Sequence, residues 1–419
     1  ASDVYKRQIT YSVENKTWNR EFFVSNPAQA GMYSICAEGG EDINLEISAT
    51  RKDNRSGRGV SFCDQIQAEQ NQYIWLEGTS GGSDGIGFVM GVRVFSCGGK
   101  QYQMGSRIIV EKAQKVLICF TGRTTFRSEE PKKWCREHLE KICLDTYDER
   151  RKEHIQDYQN YFHASRLTLG HKTTLDHLTT PERLDRIRKG NEDIGLINLY
   201  YDFARYLLIS SSREGSLPAN LQGIWNEEFE PMWGSKYTIN INIQMNYWMA
   251  EKTGLSALHL PLLEHLKRMH PRGKDVAAAM YQVEGFCCHH NTDIWGDCAP
   301  QDYHTSSTIW PMGGAWLCLH IYAHYQYTKD REFLNEYFPI LEDSVRFFVN
   351  YMVQNPDGKW VTGPSSSPEN IYITENNQYG CLCMGPAMDI EIVRELFGDY
   401  LKAASILERE GELSNLVKE

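Results

Sequence analysis

The hydrophobic and polar positions of this chain change their period near residue 128. Before that point, short runs of alternating or β-branched residues are separated by turn-forming Gly and Asn, which is typical of strands. The predicted strands span residues 21–25, 43–50, 85–96, 106–112 and 115–121. Because several short strands recur at this spacing, the sequence predicts an antiparallel β-sandwich over residues 1–125.

A helical period replaces the alternation after Pro131. Acidic residues and this early proline precede apolar residues at helical spacing, which predicts an amphipathic helical linker over residues 126–178. Further helices are predicted at residues 191–209, 244–252, 257–269, 273–281, 311–327, 331–352 and 384–409. Because short and long connections alternate between them, we expect a toroid of helical hairpins over residues 179–419, with a site at one rim.

One stretch in this half, residues 237–248, shows a different pattern. Three isoleucines alternate there with Asn240, Asn242 and Gln244, which predicts an extended segment with two unlike faces. Asparagine is a poor strand former, so a pair in register indicates a surface selected for hydrogen bonding. We therefore expect Asn240 and Asn242 to project side by side into a pocket, with the isoleucines packed behind them.

Three long connections, residues 211–239, 284–310 and 355–380, separate the predicted helices. Loops of this length inside a compact domain are usually functional. The first leads into Asn240, the second carries H-H-N-T-D-I-W (289–295) and ends at Trp310, and the third carries S-S-S-P-E-N (365–370).

Glu369 is the acid best placed for catalysis, because Pro368 stiffens the loop that carries it. A partly desolvated glutamate can keep its proton near neutral pH and act as a general acid; alternatively, Glu369 caps the following segment or lies in water. Asn240 and Asn242 cannot exchange protons but can orient a water or a carboxylate, unless they form a buried amide network. Asp293 is a second acid candidate, or an acceptor for a substrate hydroxyl.

The composition restricts the class of partner. A net charge of −11 and a pI of about 5.7 argue against nucleic acid, and no apolar run is long enough to span a membrane. Several of the 12 cysteines lie in apolar runs, which is typical of free thiols in a reducing compartment and favours the cytoplasm. The tetrahedral zinc spacing is missing, so we predict neither a metal nor a cofactor.

Four motifs together resemble glycoside hydrolase family 95, which contains α-1,2-L-fucosidases and some α-L-galactosidases. They are residues 220–226 (N-L-Q-G-I-W-N), 233–248 (W-G-S-K-Y-T-I-N-I-N-I-Q-M-N-Y-W), 289–295 and 365–370. The resemblance implies an N-terminal β-sandwich, a helical linker, an (α/α)6 barrel and a C-terminal β-domain, with this chain holding the linker and parts of the sandwich and barrel.

The resemblance also implies an inverting mechanism that releases α-linked L-fucose from oligosaccharides or glycans. Glu369 would be the general acid, and Asn240 and Asn242 would help a base aspartate to activate water. We assign substrate binding to the residues His290, Asn291, Asp293, Trp295 and Trp310.

The family's base aspartate lies well downstream of the acid, whereas Asp389 and Asp399 follow Glu369 closely within a predicted helix. We therefore expect a fragment truncated at both ends that lacks the base and releases no fucose. Alternatives remain: an α-L-galactosidase, another hydrolase or a phosphorylase on the same scaffold, and a non-catalytic glycan-binding protein. Phosphorolysis is disfavoured because the three connections offer few anion-binding groups besides Lys236.

Overall fold

The computed structural model describes residues 6–13, 16–39, 43–51, 63–80, 84–170 and 175–419. They fall into two compact units that divide between His163 and Ala164. This division lies inside the segment 126–178 that the sequence predicts as a linker. Within the described ranges, no helix combines the length and the apolar character needed to cross a membrane.

The described part of the first unit contains two antiparallel sheets. Its strands are β1 Arg7–Val13, β2 Lys16–Ser25, β3 Ala30–Ala37, β4 Ile43–Ile47, β5 Gln65–Glu69, β6 Tyr73–Ser80, β7 Ile86–Cys97, β8 Lys100–Met104, β9 Arg107–Ala113 and β10 Lys115–Thr124. The larger sheet has the order β1-β2-β3-β10-β7-β6-β5, and the smaller has the order β4-β9-β8. In the larger sheet, Ile118 of β10 pairs with Tyr33 on one side and Val94 on the other.

Each face of the larger sheet contributes to a different core. Ile74 and Val94 pack with Ile108 of the smaller sheet, forming the interior of the sandwich. On the opposite face, the neighbouring Trp75 packs with Leu139 of helix α1 (Pro131–Glu140). Successive side chains of a strand point to opposite faces, so β6 is apolar on both and lacks the alternation that marks a half-exposed strand.

The predicted linker contains two helices, α1 and α2 (Tyr147–Phe162), rather than one continuous helix. Both pack on the larger sheet: α1 buries Cys135 and Leu139 there, and Tyr147 at the start of α2 joins the same cluster. Their apolar faces therefore complete the core of the first unit.

The second unit is mainly helical. Its helices are α3 Thr180–Arg188, α4 Ile194–Ser211, α5 Asn242–Lys252, α6 Leu260–Val276, α7 Thr305–Thr308, α8 Gly313–Thr328, α9 Arg331–Tyr351, α10 Ala387–Leu407 and α11 Glu412–Lys418. Helix α8 contacts α5, α6, α9 and α10. Two residues join α8 to α9, and the first of them, Lys329, has a φ of 58°. The side chain of the second, Asp330, accepts a hydrogen bond from Phe333 N at 2.9 Å and caps α9.

Short strands lie in the connections between these helices. They are β11 Tyr237–Thr238, β12 Asn291–Thr292, β13 Val353–Gln354, β14 Trp360–Val361, β15 Ser365–Ser366, β16 Tyr372–Ile373, β17 Tyr379–Gly380 and β18 Leu382–Cys383. The pairs are β11 with β12, β13 with β14, β15 with β18 and β16 with β17. The predicted fold class, an N-terminal antiparallel β domain followed by a helical domain, is confirmed.

The prediction of an extended segment over residues 237–248 is wrong. Strand β11 ends at Thr238, a turn follows, and α5 begins at Asn242. Ile239 and Ile243 are buried, but Ile241 is 39% exposed. Within α5, the buried Ile243 and Tyr247 are one helical turn apart, so burial follows the helical period there, and Asn240 and Asn242 do not share a strand face.

Candidate active site

Hydrogen bonds bring the ends of the three long connections together. Strand β11 of the first connection pairs with β12 of the second, and Ile239 N donates to His290 O at 2.7 Å. At the end of the second connection, the carbonyl of Ile309 accepts a hydrogen bond from Ser366 N of the third at 2.9 Å. The candidate residues from separate parts of the sequence therefore lie on one set of joined loops.

Gly313 makes the close approach of these loops to α8 possible. A Cβ atom on this residue would lie 2.2 Å from the carbonyl oxygen of His289 and 2.6 Å from Cδ1 of Ile239. Only glycine has no Cβ, so only glycine allows the start of α8 to contact both connections without displacing them.

Several polar atoms on the joined connections are buried and have no hydrogen-bond partner among the described residues. They are Asn240 Oδ1, His290 Nδ1, Asn291 Oδ1, Thr292 Oγ1 and Ser366 Oγ. Buried polar groups in proteins are nearly always paired, so a local group of unpaired ones requires an explanation. A water or a sugar hydroxyl could pair with these atoms only inside the loops, because the atoms have almost no accessible surface.

The ring of His290 has a defined protonation pattern. Its Nε2 lies 2.8 Å from Nδ2 of Asn291, and since an amide nitrogen only donates, Nε2 is the acceptor. Burial lowers the pKa of His290, which keeps the ring neutral and leaves the proton on Nδ1. The Nδ1–H of His290 is therefore a buried hydrogen-bond donor with no partner among the described residues.

The other predicted sugar-binding residues lie in different surroundings. Asp293 shapes its own turn, because its Oδ1 accepts hydrogen bonds from the backbone N of Trp295 at 2.9 Å and of Asp297 at 3.2 Å. The side chain of Trp295 is 47% exposed, as a stacking platform requires. Trp310, by contrast, is fully buried and offers no ring face to a sugar; its Nε1 donates to Asp389 Oδ1 at 3.2 Å.

Glu369 lies in the exposed middle part of the third connection. The base of this connection is anchored, since Ser365 and Ser366 are buried and pair with Cys383 and Leu382. Beyond it, Asn370 N donates to Ser367 O at 2.7 Å and closes a tight turn around Glu369. The expected partial desolvation of the Glu369 carboxyl is not present in this structure, where that carboxyl is open to water.

Asp389 contacts two of the connections, although the sequence suggests it only as a base candidate that lies too close to Glu369. It is fully buried, and its Oδ2 accepts a hydrogen bond from Thr362 Oγ1 at 2.8 Å in addition to the bond from Trp310. Burial raises the pKa of Asp389 to about 6, despite the hydrogen bonds from Ser365, Thr362 and Trp310. A sequence signal exists, because Asp389 shares a helical face with the apolar Ile392 and Val393.

A second buried cluster, here called the Glu251 cluster, consists of Glu251, His259, His320 and His324. Glu251 Oε1 lies 2.7 Å from Nδ1 of His259 and 2.7 Å from Nδ1 of His324, and His259 Nε2 lies 2.8 Å from His320 Nδ1. Burial alone would raise the pKa of Glu251, but hydrogen bonds from His259, His324 and Ser256 lower it to about 2. Burial lowers the pKa of His259 and His320, so those rings are neutral.

Among the described residues, Glu251, His259 and His324 form the group whose ligand atoms lie close enough together to hold a metal ion. Two ligands of one tetrahedral zinc, at about 2.1 Å from the ion, lie roughly 3.4 Å apart. The observed 2.7 Å is shorter than that and matches a charge-assisted hydrogen bond. The cluster therefore fits a hydrogen-bonded network better than a metal site.

Comparison with known proteins relates both units to glycoside hydrolases. Residues 146–419 match the model of the glycosyl hydrolase family 95 catalytic domain, and residues 6–129 match that of the glycosyl hydrolase family 65 N-terminal domain. A putative kojibiose phosphorylase from the human microbiome superimposes with a TM-score of 0.63 and 11% sequence identity. The match covers 100% of this chain and 55% of the phosphorylase chain. At that identity the likeness shows the fold alone.

Two curated relatives extend the comparison. Alpha-L-fucosidase 2 of Arabidopsis thaliana is 30% identical over 428 residues, which cover 96% of this chain and 51% of the plant protein. Probable alpha-fucosidase A of Aspergillus niger is 32% identical over 263 residues, which cover 61% of this chain and 33% of the fungal protein. The chain thus spans about half the length of the plant relative. Because the catalytic-domain model matches more than half of its residues, the chain belongs to glycoside hydrolase family 95.

Proposed function

We propose that the whole protein is a glycoside hydrolase that removes terminal α-linked L-fucose, in α-1,2 linkage, from oligosaccharides or glycans. The observation that carries this proposal is the match of residues 146–419 to the glycosyl hydrolase family 95 catalytic domain, and the buried polar atoms on the joined connections support a polar ligand. A sugar hydroxyl both donates and accepts, so it suits the Nδ1–H of His290 and the amide oxygens of Asn240 and Asn291. The names of the plant and fungal relatives support fucose as the sugar.

In the proposed reaction, Glu369 protonates the glycosidic oxygen as the leaving group departs. A water held by Asn240 and Asn242 and deprotonated by a base carboxylate attacks the anomeric carbon from the opposite face, which inverts its configuration. In this structure Glu369 is exposed, so the acid role requires the bound glycan to displace water from its carboxyl, which regains a proton from water between turnovers. Asp389 and Asp399 are not assigned as the base, since both are buried on α10 with hydrogen-bond partners of their own.

The substrate-binding role extends to Asp293 and Trp295 in this proposal. One oxygen of Asp293 holds its turn, and the half-exposed ring of Trp295 provides a face for a sugar. Trp310 acts beneath the site rather than in contact with the sugar. The twelve free thiols support a reducing compartment such as the cytoplasm as the place of action.

The test compares two glutamate variants on the same connection in the whole protein. Glu369→Gln removes the proposed acid, whereas Glu375→Gln changes another exposed glutamate six residues further on and serves as the control. With 2′-fucosyllactose as substrate, we expect Glu369→Gln to lower kcat by roughly 10²- to 10⁴-fold and Glu375→Gln to match the wild type. Proton NMR of the first product should show β-L-fucose, as inversion requires.

The same assay separates the rival functions. Full turnover by Glu369→Gln, or α-L-fucose as the first product, would contradict the assigned acid or the inverting mechanism. Consumption of inorganic phosphate would indicate a phosphorylase, and a preference for an α-L-galactoside would indicate a pocket that accepts a hydroxymethyl group at C6. Binding of fucosylated glycan without release by the whole protein would indicate a non-catalytic glycan-binding protein.

A further inference from the structure

Asp389 joins two of the three connections of the candidate site through its side chain. Its Oδ1 accepts from Nε1 of Trp310, the last residue of the second connection, at 3.2 Å. Its Oδ2 accepts from Oγ1 of Thr362, in the third connection, at 2.8 Å, and the hydroxyl of Ser365 also bonds to the carboxyl group. One carboxyl group on α10 therefore holds both connections.

The backbone beside these contacts reinforces the junction. Ser366 N donates to the carbonyl of Ile309, the residue before Trp310, at 2.9 Å. Tyr351 at the end of α9 donates its hydroxyl to the carbonyl of Pro364 at 2.7 Å. The segment that leads to Glu369 is thus fixed at its base, and Glu369 follows only three residues after Ser366.

We propose that Asp389 is a positioning residue of the active site, whose carboxyl group sets the distance between the connection that carries His290 and the connection that carries Glu369. Asp389 is not a catalytic residue, because it has no exposed surface and both of its oxygens are occupied. This role rests on the proposed function, since it matters for turnover only if the sugar binds at one connection and the acid lies on the other.

Two substitutions at this position separate geometry from charge. Asp389→Asn keeps the shape: its amide oxygen can accept from the indole of Trp310, and its NH2 can donate to the hydroxyl of Thr362, which also accepts. Asp389→Ala removes both acceptors and leaves the indole N–H and the hydroxyl buried without partners. If positioning is the role, asparagine should largely restore what alanine loses.

Asp399 provides a matched control on the same helix. It is 4% exposed, burial raises its pKa to about 6 as it does for Asp389, and its hydrogen bond goes to Lys402 at 3.2 Å. Asp399→Ala therefore removes a similarly buried carboxyl group from α10 without touching any of the three connections. A loss of stability common to both alanine variants can then be subtracted.

The experiment measures two quantities for Asp389→Ala, Asp389→Asn and Asp399→Ala. The first is the hydrogen exchange of the Ser366 amide in the 419-residue chain; the second is kcat and KM for 2′-fucosyllactose in the whole protein. We expect Asp389→Ala to accelerate exchange at Ser366 and to lower kcat roughly 10- to 100-fold, because a displacement of about 1 Å has that effect on a reacting group. Asp399→Ala should leave both near the wild-type values, and Asp389→Asn should recover most of the loss.

The outcomes distinguish the two proposals. Equal effects of Asp389→Ala and Asp399→Ala on Ser366 exchange, or no recovery with asparagine, would overturn the positioning role whatever the activity. A wild-type whole protein that releases no fucose would instead overturn the proposed function. A fall in kcat accompanied by faster Ser366 exchange, in Asp389→Ala alone, supports both.

Discussion

Glu251→Gln tests whether a buried carboxylate stabilises the helical unit through the charge it carries. In the folded chain, Oε1 of Glu251 accepts hydrogen bonds from His259 and His324, and Oε2 accepts one from the hydroxyl of Ser256. These partners come from α8 and from the residues between α5 and α6. Glutamine keeps the shape of the side chain but is neutral, and one of its two polar atoms can no longer accept.

The pKa of Glu251 sets the size of the expected effect. Its hydrogen bonds lower the pKa from 4.5 to about 2, and a tenfold change in proton affinity corresponds to about 1.4 kcal/mol, so the ionised carboxylate contributes about 3 kcal/mol. The folded-state pKa lies below the unfolded one, so this contribution is complete above pH 4.5 and is lost as the pH falls toward 2. The side chains of Glu251, His259 and His324 are at most 6% exposed, so solvent screening is small.

The assay is urea unfolding of the 419-residue chain at several pH values between 7 and 3, followed by circular dichroism. We expect Glu251→Gln to lower the free energy of unfolding by about 3 kcal/mol at pH 7, with a smaller loss below pH 4.5. Glu336→Gln is the control, because the Glu336 side chain is 60% exposed and its pair with Lys267 contributes only about 0–1 kcal/mol. A loss at Glu251 that equals the control, or one that does not change with pH, would refute the reasoning.

Three further results are expected. Gly313→Ala should lower the free energy of unfolding by about 1–3 kcal/mol, because the added Cβ would overlap atoms of two connections. Gly398→Ala is the control and should not destabilise the chain, because a Cβ there meets nothing within 4 Å. Equal melting temperatures of the two variants would contradict the predicted overlap at Gly313. EDTA should leave the melting temperature unchanged and metal analysis should find no stoichiometric zinc, since the Glu251 cluster has hydrogen-bond spacing. Burial raises the pKa of Asp389 from 3.8 to about 6. The free energy of unfolding of the wild type should therefore rise by up to about 3 kcal/mol relative to that of Asp389→Asn as the pH falls from 7 toward 4. A difference in urea unfolding that stays constant with pH would exclude this raised pKa.

The sequence predicts best those elements that have one apolar and one polar face. Helix α9 spans Arg331–Tyr351 against a prediction of 331–352, and α10 spans Ala387–Leu407 against 384–409. Strands β3 and β6 are not predicted, because both of their faces are buried and their apolar runs show no alternation. Alternation therefore gives no signal for strands such as these.

The error at residues 237–248 has a different cause. Over a few residues, alternation also places apolar side chains four positions apart, as at Ile243 and Tyr247, which is equally the spacing of one helical turn. The amide of Gln244, which the alternation places on the polar face, is instead buried and donates to the carbonyl of Ile239 at 2.6 Å. Tertiary contacts stabilise the helix here, and a short sequence pattern does not contain information about those contacts.

Buried carboxylates are the part of the site least accessible from one sequence, because their partners are distant along the chain. Asp389 bonds to Trp310, 79 positions earlier, and Glu251 bonds to His324, 73 positions later. The only local sequence signal of such a pair is an acidic residue on the apolar face of a helix. The motifs of the connections, by contrast, are contiguous, and hydrogen bonds join the connections that carry them.

The two kinds of polar group have different roles in the helical unit. On the connections, His290 and Asn240 keep polar atoms unpaired, and each unpaired buried atom reduces stability unless a ligand pairs with it. On the helices beneath, Asp389 and Glu251 have their hydrogen bonds satisfied, and together they hold α5, α8 and α10 to the connections or to one another. A site that keeps unpaired groups ready for a sugar needs such fixed supports, because otherwise the loops would rearrange to pair those groups internally. We therefore expect sugar binding to depend on buried acids that never contact the sugar.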